Sequence, residues 1–391
     1  MKWIATDNIY AETWRELSEY TNIDLVCRNL ESKHGSPLSQ KERENRRKQA
    51  QQARVCVLQA KEYMEAARSS SIFTSPNHTY YSIASLASLL MLVLGDGTKS
   101  LDYLRKDKKN RTHGLSFLTT CTLPNAAAGV NLLRFSSAEI LENGHFANWY
   151  KILPKRDWHY ALHHENALHH EIIGKKTKRS LKIVGGSPLP EFSSISRRQW
   201  NLLDLLALFP DLDLDLQKCG VRKIRSRSNL EVFENGVKTR FSWGFSGTEN
   251  DQEFKMILDR FVLDENFKDR IQFDLVSDGS AGLVHIDCIE TDHVTFHWPD
   301  VRETLDHSMI SYADPIEMFE IVDLYLVAYQ LSMLSRYFPD LWVRCIESQC
   351  LAAKLISRAT EIIGRKFPIL CLSLLNGEKT VISTYRAPWL T

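Results

Sequence analysis

The sequence predicts a mainly helical α+β protein, a helical bundle with a small antiparallel β-sheet inserted into it, and three observations carry that prediction. First, from Phe319 to Leu334 apolar side chains cover almost every face of a helix, the pattern of a rod buried on all sides. Second, two helical stretches lie far upstream: Gln40 to Arg68, and Thr79 to Leu94, whose Ala84, Ser85, Ala87 and Ser88 permit close packing. Third, between Arg222 and Trp298 the hydrophobic period changes from 3.6 to 2, and Asn235-Gly236 separates two alternating runs, a strong hairpin signal.

Bulk properties exclude more than they assign. The 391 residues suffice for two or three subdomains. With 49 Lys plus Arg against 48 Asp plus Glu, no global field recruits polyanions, so any nucleic-acid affinity must come from a local patch. The eight cysteines show no CxxC and no knuckle spacing, which fits reduced, buried thiols in a cytoplasmic protein. MKWIATDNIYAETW lacks the apolar core of a secretion signal. Glu317, Glu320, Asp323 and Gln330 interrupt the apolar rod, which argues against a membrane span. No Gly-rich phosphate loop, GxSxG or recognisable Cys-His signature occurs.

Taken in order, residues 1–38 form an N-terminal segment with a short helix near Glu12 to Tyr20. A helical part spans 39–215. Ser39, with Glu42 three residues on, opens its first helix as a reciprocal cap, and KERENRRKQAQQAR is polar all round, as in a solvated or partner-facing helix. After Gly95-Asp96-Gly97 and the basic stretch Arg105 to Arg111 comes His113-Gly114-Leu115, and helical patterning returns over Ala138 to Leu153 and Ser196 to Phe209. Residues 156–171 carry five histidines, including His159, His163 and His169. The zinc-protease spacing fails there by one residue and no third ligand falls in place, so the segment predicts a solvated, pH-sensitive helix and no metal.

A β subdomain over 216–298 is predicted as a meander of five strands around a helix, Gln252 to Val262. Arg222, Lys223, Arg225 and Arg227 precede its hairpin, and with Trp243 they compose a basic, aromatic face that suits single-stranded nucleic acid, although half-buried strands turn aromatics inward in any protein. Residues 299–391 form a C-terminal helical part packing on the first. It comprises the apolar rod, an amphipathic helix from Val343 to a break at Gly364, a buried strand or short helix from Phe367 to Leu375, and an edge strand from Val381.

Several blocks in this order resemble the YaaC-like protein family: Tyr80-Tyr81, His113-Gly114-Leu115, Leu202 to Asp211, Tyr325 to Trp342 and Lys366 to Leu370, scattered over residues 55–375. SMLSRYFPDLW is the most specific of them. The resemblance implies a bacterial cytoplasmic protein and brings no particular activity with it. The first half is also distantly similar to HEPN domains, all-α folds that often act as ribonucleases in toxin and antiviral systems through an Arg-x4-6-His motif. One match occurs, Arg302 to His307, in a segment that reads as a helix capped by Asp300. In a ribonuclease His307 would act as general acid or base on the 2′-OH and Arg302 would stabilise charge on the phosphorus oxygens. Residues five apart sit about 140° apart on a helix, so the two converge only in a dimer-composed site or across a bend.

A second candidate site is Tyr81, His113, Arg336 and Tyr337, polar groups on the most apolar elements. Arg336 either pairs internally with Glu320 or Asp323 or meets a ligand's phosphate or carboxylate. The expected function is that of a YaaC-like, HEPN-like effector acting on RNA or nucleotides in a defence or toxin module, with metal-independent ribonuclease as the enzyme class. The alternatives are a non-catalytic interaction subunit of a multiprotein complex and a small-molecule binder using Arg336. The partners expected are RNA or a nucleotide, a protein from the same operon and a second copy in a homodimer; no cofactor and no membrane partner is expected.

Overall fold

The computed structural model describes residues 2–37, 39–155, 162–164, 180–185, 189–235, 238–246, 251–259, 262–263, 271–275, 281–289, 293–298 and 300–384. Its centre is the helix Glu320–Tyr337, buried at every position from Glu320 to Ser332. Burying polar groups costs about 1–3 kcal/mol each unless they find partners, and Glu320, Asp323, Gln330 and Ser332 each have one, although Asp323 Oδ1 and Gln330 Oε1 accept no hydrogen bond among the described residues. Glu320 takes Lys366 Nζ at 2.6 Å, Asp323 takes Arg302 at 2.6 Å, the Gln330 amide donates to the Trp200 carbonyl at 3.2 Å, and Ser332 donates to Asn77 at 3.0 Å.

The helix Ser75–Leu94 packs along it, with the Tyr80 ring 5.8 Å from Tyr325 and 5.6 Å from Tyr329, both edge-on. Ser82 donates to the Ala60 carbonyl at 2.7 Å and so locks that helix to Gln40–Ser69, where buried Ala53 and Ala60 allow close approach. Ser39 caps the latter helix by accepting the Glu42 N–H at 3.2 Å. Leu351–Asn376 completes the bundle and runs unbroken through Gly364 and Pro368, where a break and a separate strand or short helix were expected. Burial of Phe367, Cys371 and Leu372 outweighs the one N–H lost at Pro368, and a Cβ at Gly364 would lie 3.1 Å from Met64 Sδ, so its bareness serves packing rather than termination.

At the N-terminus, Asn8 and Asn22 cap two helices, Ile9–Ser18 and Ile23–His34, in place of the single one expected. Strand Lys2–Ala5 pairs in parallel with Thr380–Ser383, so the described ends of the chain share one sheet.

The inserted sheet has six strands in the order Ile271–Leu275, Ala281–Ile289, Lys238–Ser246, Arg225–Asn235, Met309–Tyr312, Val301–Glu303, with antiparallel pairing throughout. It differs from the expected meander at one edge. His293–Trp298 leaves it to pair in parallel with Ser180–Gly185, and two strands beyond residue 298 join instead. Where helices were expected at 138–153 and 196–209, strands Ser136–Ile140 and Gln199–Asn201 pair with each other and leave short helices, His145–Tyr150 and Leu202–Leu206. Of the histidine-rich segment, Leu162–His164 forms a strand rather than a helix, while His159 and His169 lie outside the described residues. No described helix is long and apolar enough to cross a membrane.

Candidate functional site

Two loops meet where Gly114 and Gly144 touch. Gly144 has φ +110° and a Cβ there would fall 2.5 Å from the Gly114 backbone, so neither position tolerates a side chain. Beside this contact the His145 N–H donates to the Thr112 carbonyl at 2.9 Å and the Phe146 N–H to the His113 carbonyl at 2.9 Å. Two histidines are thereby fixed next to each other.

His145 is held at both nitrogens: Nε2 lies 2.9 Å from the Ser88 hydroxyl and Nδ1 3.0 Å from the Tyr325 hydroxyl. Ser88 donates its proton to the Ala84 carbonyl at 2.9 Å, so its oxygen receives Nε2–H and Tyr325 donates to Nδ1. The ring is thus neutral. Burial, with His113 and Arg105 adding to it, pushes its pKa down to about 4. His113 Nδ1 lies 2.8 Å from the Tyr80 hydroxyl, and burial followed by the nearby Arg336 lowers its pKa as well. Its Nε2 makes no hydrogen bond among the described residues, and the ring lines a cleft of about 350 Å³.

Tyr63 and Tyr81 stack in this cleft at 5.4 Å between centroids, and Arg105 and Arg111 stand at its side. Among the described residues no aspartate or glutamate lines it. Arg336 donates to the Tyr81 hydroxyl, with its guanidinium 5.4 Å from the Tyr81 ring and 4.8 Å from the exposed Tyr337 ring. The carboxylates expected to pair with it are taken: Glu320 by Lys366 and Asp323 by Arg302. Among the described residues Arg336 has no carboxylate partner, and its buried Nε has no hydrogen bond. The structure therefore brings Tyr81, His113 and Arg336 together, with Tyr337 flanking the arginine.

Arg302 and His307 are placed otherwise. Asp300 does not cap a helix; it adopts φ +57° and accepts the Ile316 N–H at 2.6 Å, so the segment continues as strand Val301–Glu303 and a turn. Arg302 is 3% exposed and donates to Asp323 and to the Met318 carbonyl, each at 2.6 Å. His307 sits at φ +64° with Nδ1 2.5 Å from Glu303.

The expected nucleic-acid face is likewise engaged. Arg222 forms a two-pronged pair with Glu253 at 2.9 Å for each bond, Lys223 meets Asp314 at 3.5 Å, Arg225 meets Asp213, and Arg227 meets Asp306 at 3.8 Å. Trp243 lies on a central strand opposite Leu230 and Val284. A polyanion would have to displace four carboxylates to use this strip.

Sequence reasoning missed Tyr63, Ser88, Arg105, Arg111 and His145. The basic stretch from Arg105 held the signal for two of them, whereas the Tyr325 partner of His145 is 180 residues away.

Fold and cleft together define an α+β protein whose helical body carries a basic, aromatic cleft with no acidic group among the described residues that line it. A family model described as YaaC-like Protein matches residues 18–375, and the chain belongs to that family. No match was found to the curated proteins or to the solved structures.

Proposed function

We propose that this YaaC-like protein binds a phosphate-bearing aromatic ligand, a nucleotide or the phosphorylated end of an RNA, in the cleft lined by Tyr81 and His113, beside Arg336. The observation that carries this reading is Arg336, half-buried beside a cleft, with neither a carboxylate partner for the guanidinium nor an acidic side chain in the cleft lining among the described residues. A desolvated cation without a counter-charge is costly, and phosphate satisfies guanidinium in a bidentate geometry. Tyr63 and Tyr81 supply flat faces for a base, and His113 Nε2 offers one further polar contact. Such a ligand suits a nucleotide- or RNA-directed effector of a defence or toxin module, the role that the HEPN-like resemblance implies.

Metal-independent cleavage by Arg302 and His307 keeps only its sequence spacing in support. The scaffold alternative draws on Val55 and Leu58, which are 49% and 45% exposed on the Gln40–Ser69 helix. Thermal unfolding with nucleoside mono-, di- and triphosphates and 5′-phosphorylated oligoribonucleotides separates the readings. A ligand at 100 times its Kd stabilises by about 2.7 kcal/mol, and Arg336→Ala is expected to abolish the rise in Tm. If no member of the panel stabilises the wild type, or if Arg336→Ala responds equally, the cleft is not such a site. RNA cleavage that survives in both Arg302→Ala and His307→Ala would belong to neither residue.

A further inference from the structure

The eight cysteines look scattered in sequence, yet two of them come into contact at the turn between helices Pro339–Glu347 and Leu351–Asn376. The sulfur atoms of Cys345 and Cys350 lie 3.5 Å apart. Cys121 and Cys219 lie close enough to influence the pair electrostatically. No group of three or more His, Cys, Asp or Glu among the described residues is arranged to hold a metal. We propose that Cys345 and Cys350 are a redox-active thiol pair, closed to a disulfide by a peroxide or a small-molecule disulfide and reopened by a thiol reductant.

The two thiols are unequal in the way such chemistry needs. Cys350 is half-buried and occupies the N-cap of a 26-residue helix. Burial pushes its thiol up, but the Ser348 hydroxyl, the N–H groups of Ala353 and Ala352 and the Cys345 thiol together bring it below its ordinary value. Cys345 is fully buried, and burial with the neighbouring Cys350 raises its thiol. Of the two, the half-buried Cys350 thus has the more readily ionised thiol, while the fully buried Cys345 waits beside it. Gln349, at φ +52°, forms the bend that turns the chain back and brings the sulfurs into contact. A disulfide bond is about 2.05 Å long, so closure needs the sulfurs to approach by about 1.5 Å, within reach of side-chain rotation and a small loop shift.

With peroxide, the Cys350 thiolate attacks one oxygen, the O–O bond breaks, and the departing hydroxide takes a proton and leaves as water. Cys350 is then a sulfenic acid. The Cys345 thiol attacks that sulfur, the S–O bond breaks, and the thiol proton leaves with the hydroxyl as a second water. Two thiols are oxidised, one peroxide is reduced, and the disulfide is the product.

Peptide mapping of the full chain tests this. Trypsin cuts after Arg344 and Lys354, so both cysteines fall in one peptide, residues 345–354. After treatment with hydrogen peroxide and alkylation without reductant, that peptide is expected two hydrogens lighter and unalkylated, and dithiothreitol restores two alkylation sites. In Cys345→Ser, Cys350 is expected to accumulate as a dimedone-reactive sulfenic acid; in Cys350→Ser, oxidation of Cys345 is lost. Variants whose Tm matches the wild type report chemistry rather than unfolding. Free, alkylatable Cys345 and Cys350 after peroxide, a disulfide from Cys345 to Cys121 or Cys219 instead, or unchanged oxidation of Cys345 in Cys350→Ser would each overturn the proposal.

Discussion

Burying an imidazole with both nitrogens occupied has a consequence that pH reveals. The folded pKa of His145, about 4, lies below its ordinary 6.5, so between those values the unfolded chain takes up a proton that the folded chain refuses. Its stabilising contribution is complete above pH 6.5 and is lost progressively as pH falls toward 4, about 3 kcal/mol in all. Glu303 acts in a lower window. Burial pushes its carboxyl up, but Lys379 and His307 outweigh burial and hold it well below the usual 4.5, so its contribution fades only under pH 4.5. Burial raises the Asp323 carboxyl to about 7 and so opposes this trend in the same window; the urea-midpoint advantage of the wild type over His145→Gln is therefore expected to shrink as pH falls from 6.5 to 4.5. Equal slopes would remove His145 from the account. None of this was legible in the sequence, since His145 is one of 13 histidines and its burial depends on Tyr325, far along the chain.

Among the elements, Arg302 pins strand Val301–Glu303 to the central helix through Asp323 at 2.6 Å. Removing one partner of a buried pair leaves the other charge uncompensated, so Arg302→Ala is expected to destabilise the protein by about 3–5 kcal/mol, and Arg302→Met by less. Chemical denaturation measures this directly; a stability change below 1 kcal/mol, by the range known for exposed pairs, would show that the pair is not buried in solution. The same segment shows where local rules fail. Asp300 with Glu303 three residues on satisfies a helix-start rule, yet the aspartate turns to the distant Ile316 N–H and the chain becomes a strand. Pro368 and Gly364 likewise look like breakers and are overruled by packing. Elements whose signals are intrinsic were legible: the capped Gln40–Ser69 helix, the apolar rod, and the hairpin whose strands flank Asn235 and Lys238.

At the scale of the molecule, the apolar rods of the two halves build one core, and Ser332 bonded to Asn77 spans 255 residues. Burial of a large apolar side chain contributes about 1.5–3 kcal/mol, which explains why near-continuous apolar patterning marks the centre so plainly in the sequence. The candidate site was legible in Tyr81, His113 and Arg336 because polar groups on or beside the most apolar elements stand out. Its walls were not, because they combine helix residues such as Tyr63 and Ser88 with loops that the Gly114–Gly144 contact and the bonds beside it bring together, and the parallel pairing of Lys2–Ala5 with Thr380–Ser383 leaves no local trace.

That Arg336, beside this cleft, holds a ligand's phosphate is tested most directly by calorimetric titration of a nucleoside 5′-monophosphate into wild-type and Arg336→Ala protein. The wild type is expected to bind at one site per chain and the variant to bind at least tenfold more weakly, a difference of about 1.4 kcal/mol. Equal affinities, or no binding heat with the wild type across temperatures, would contradict it.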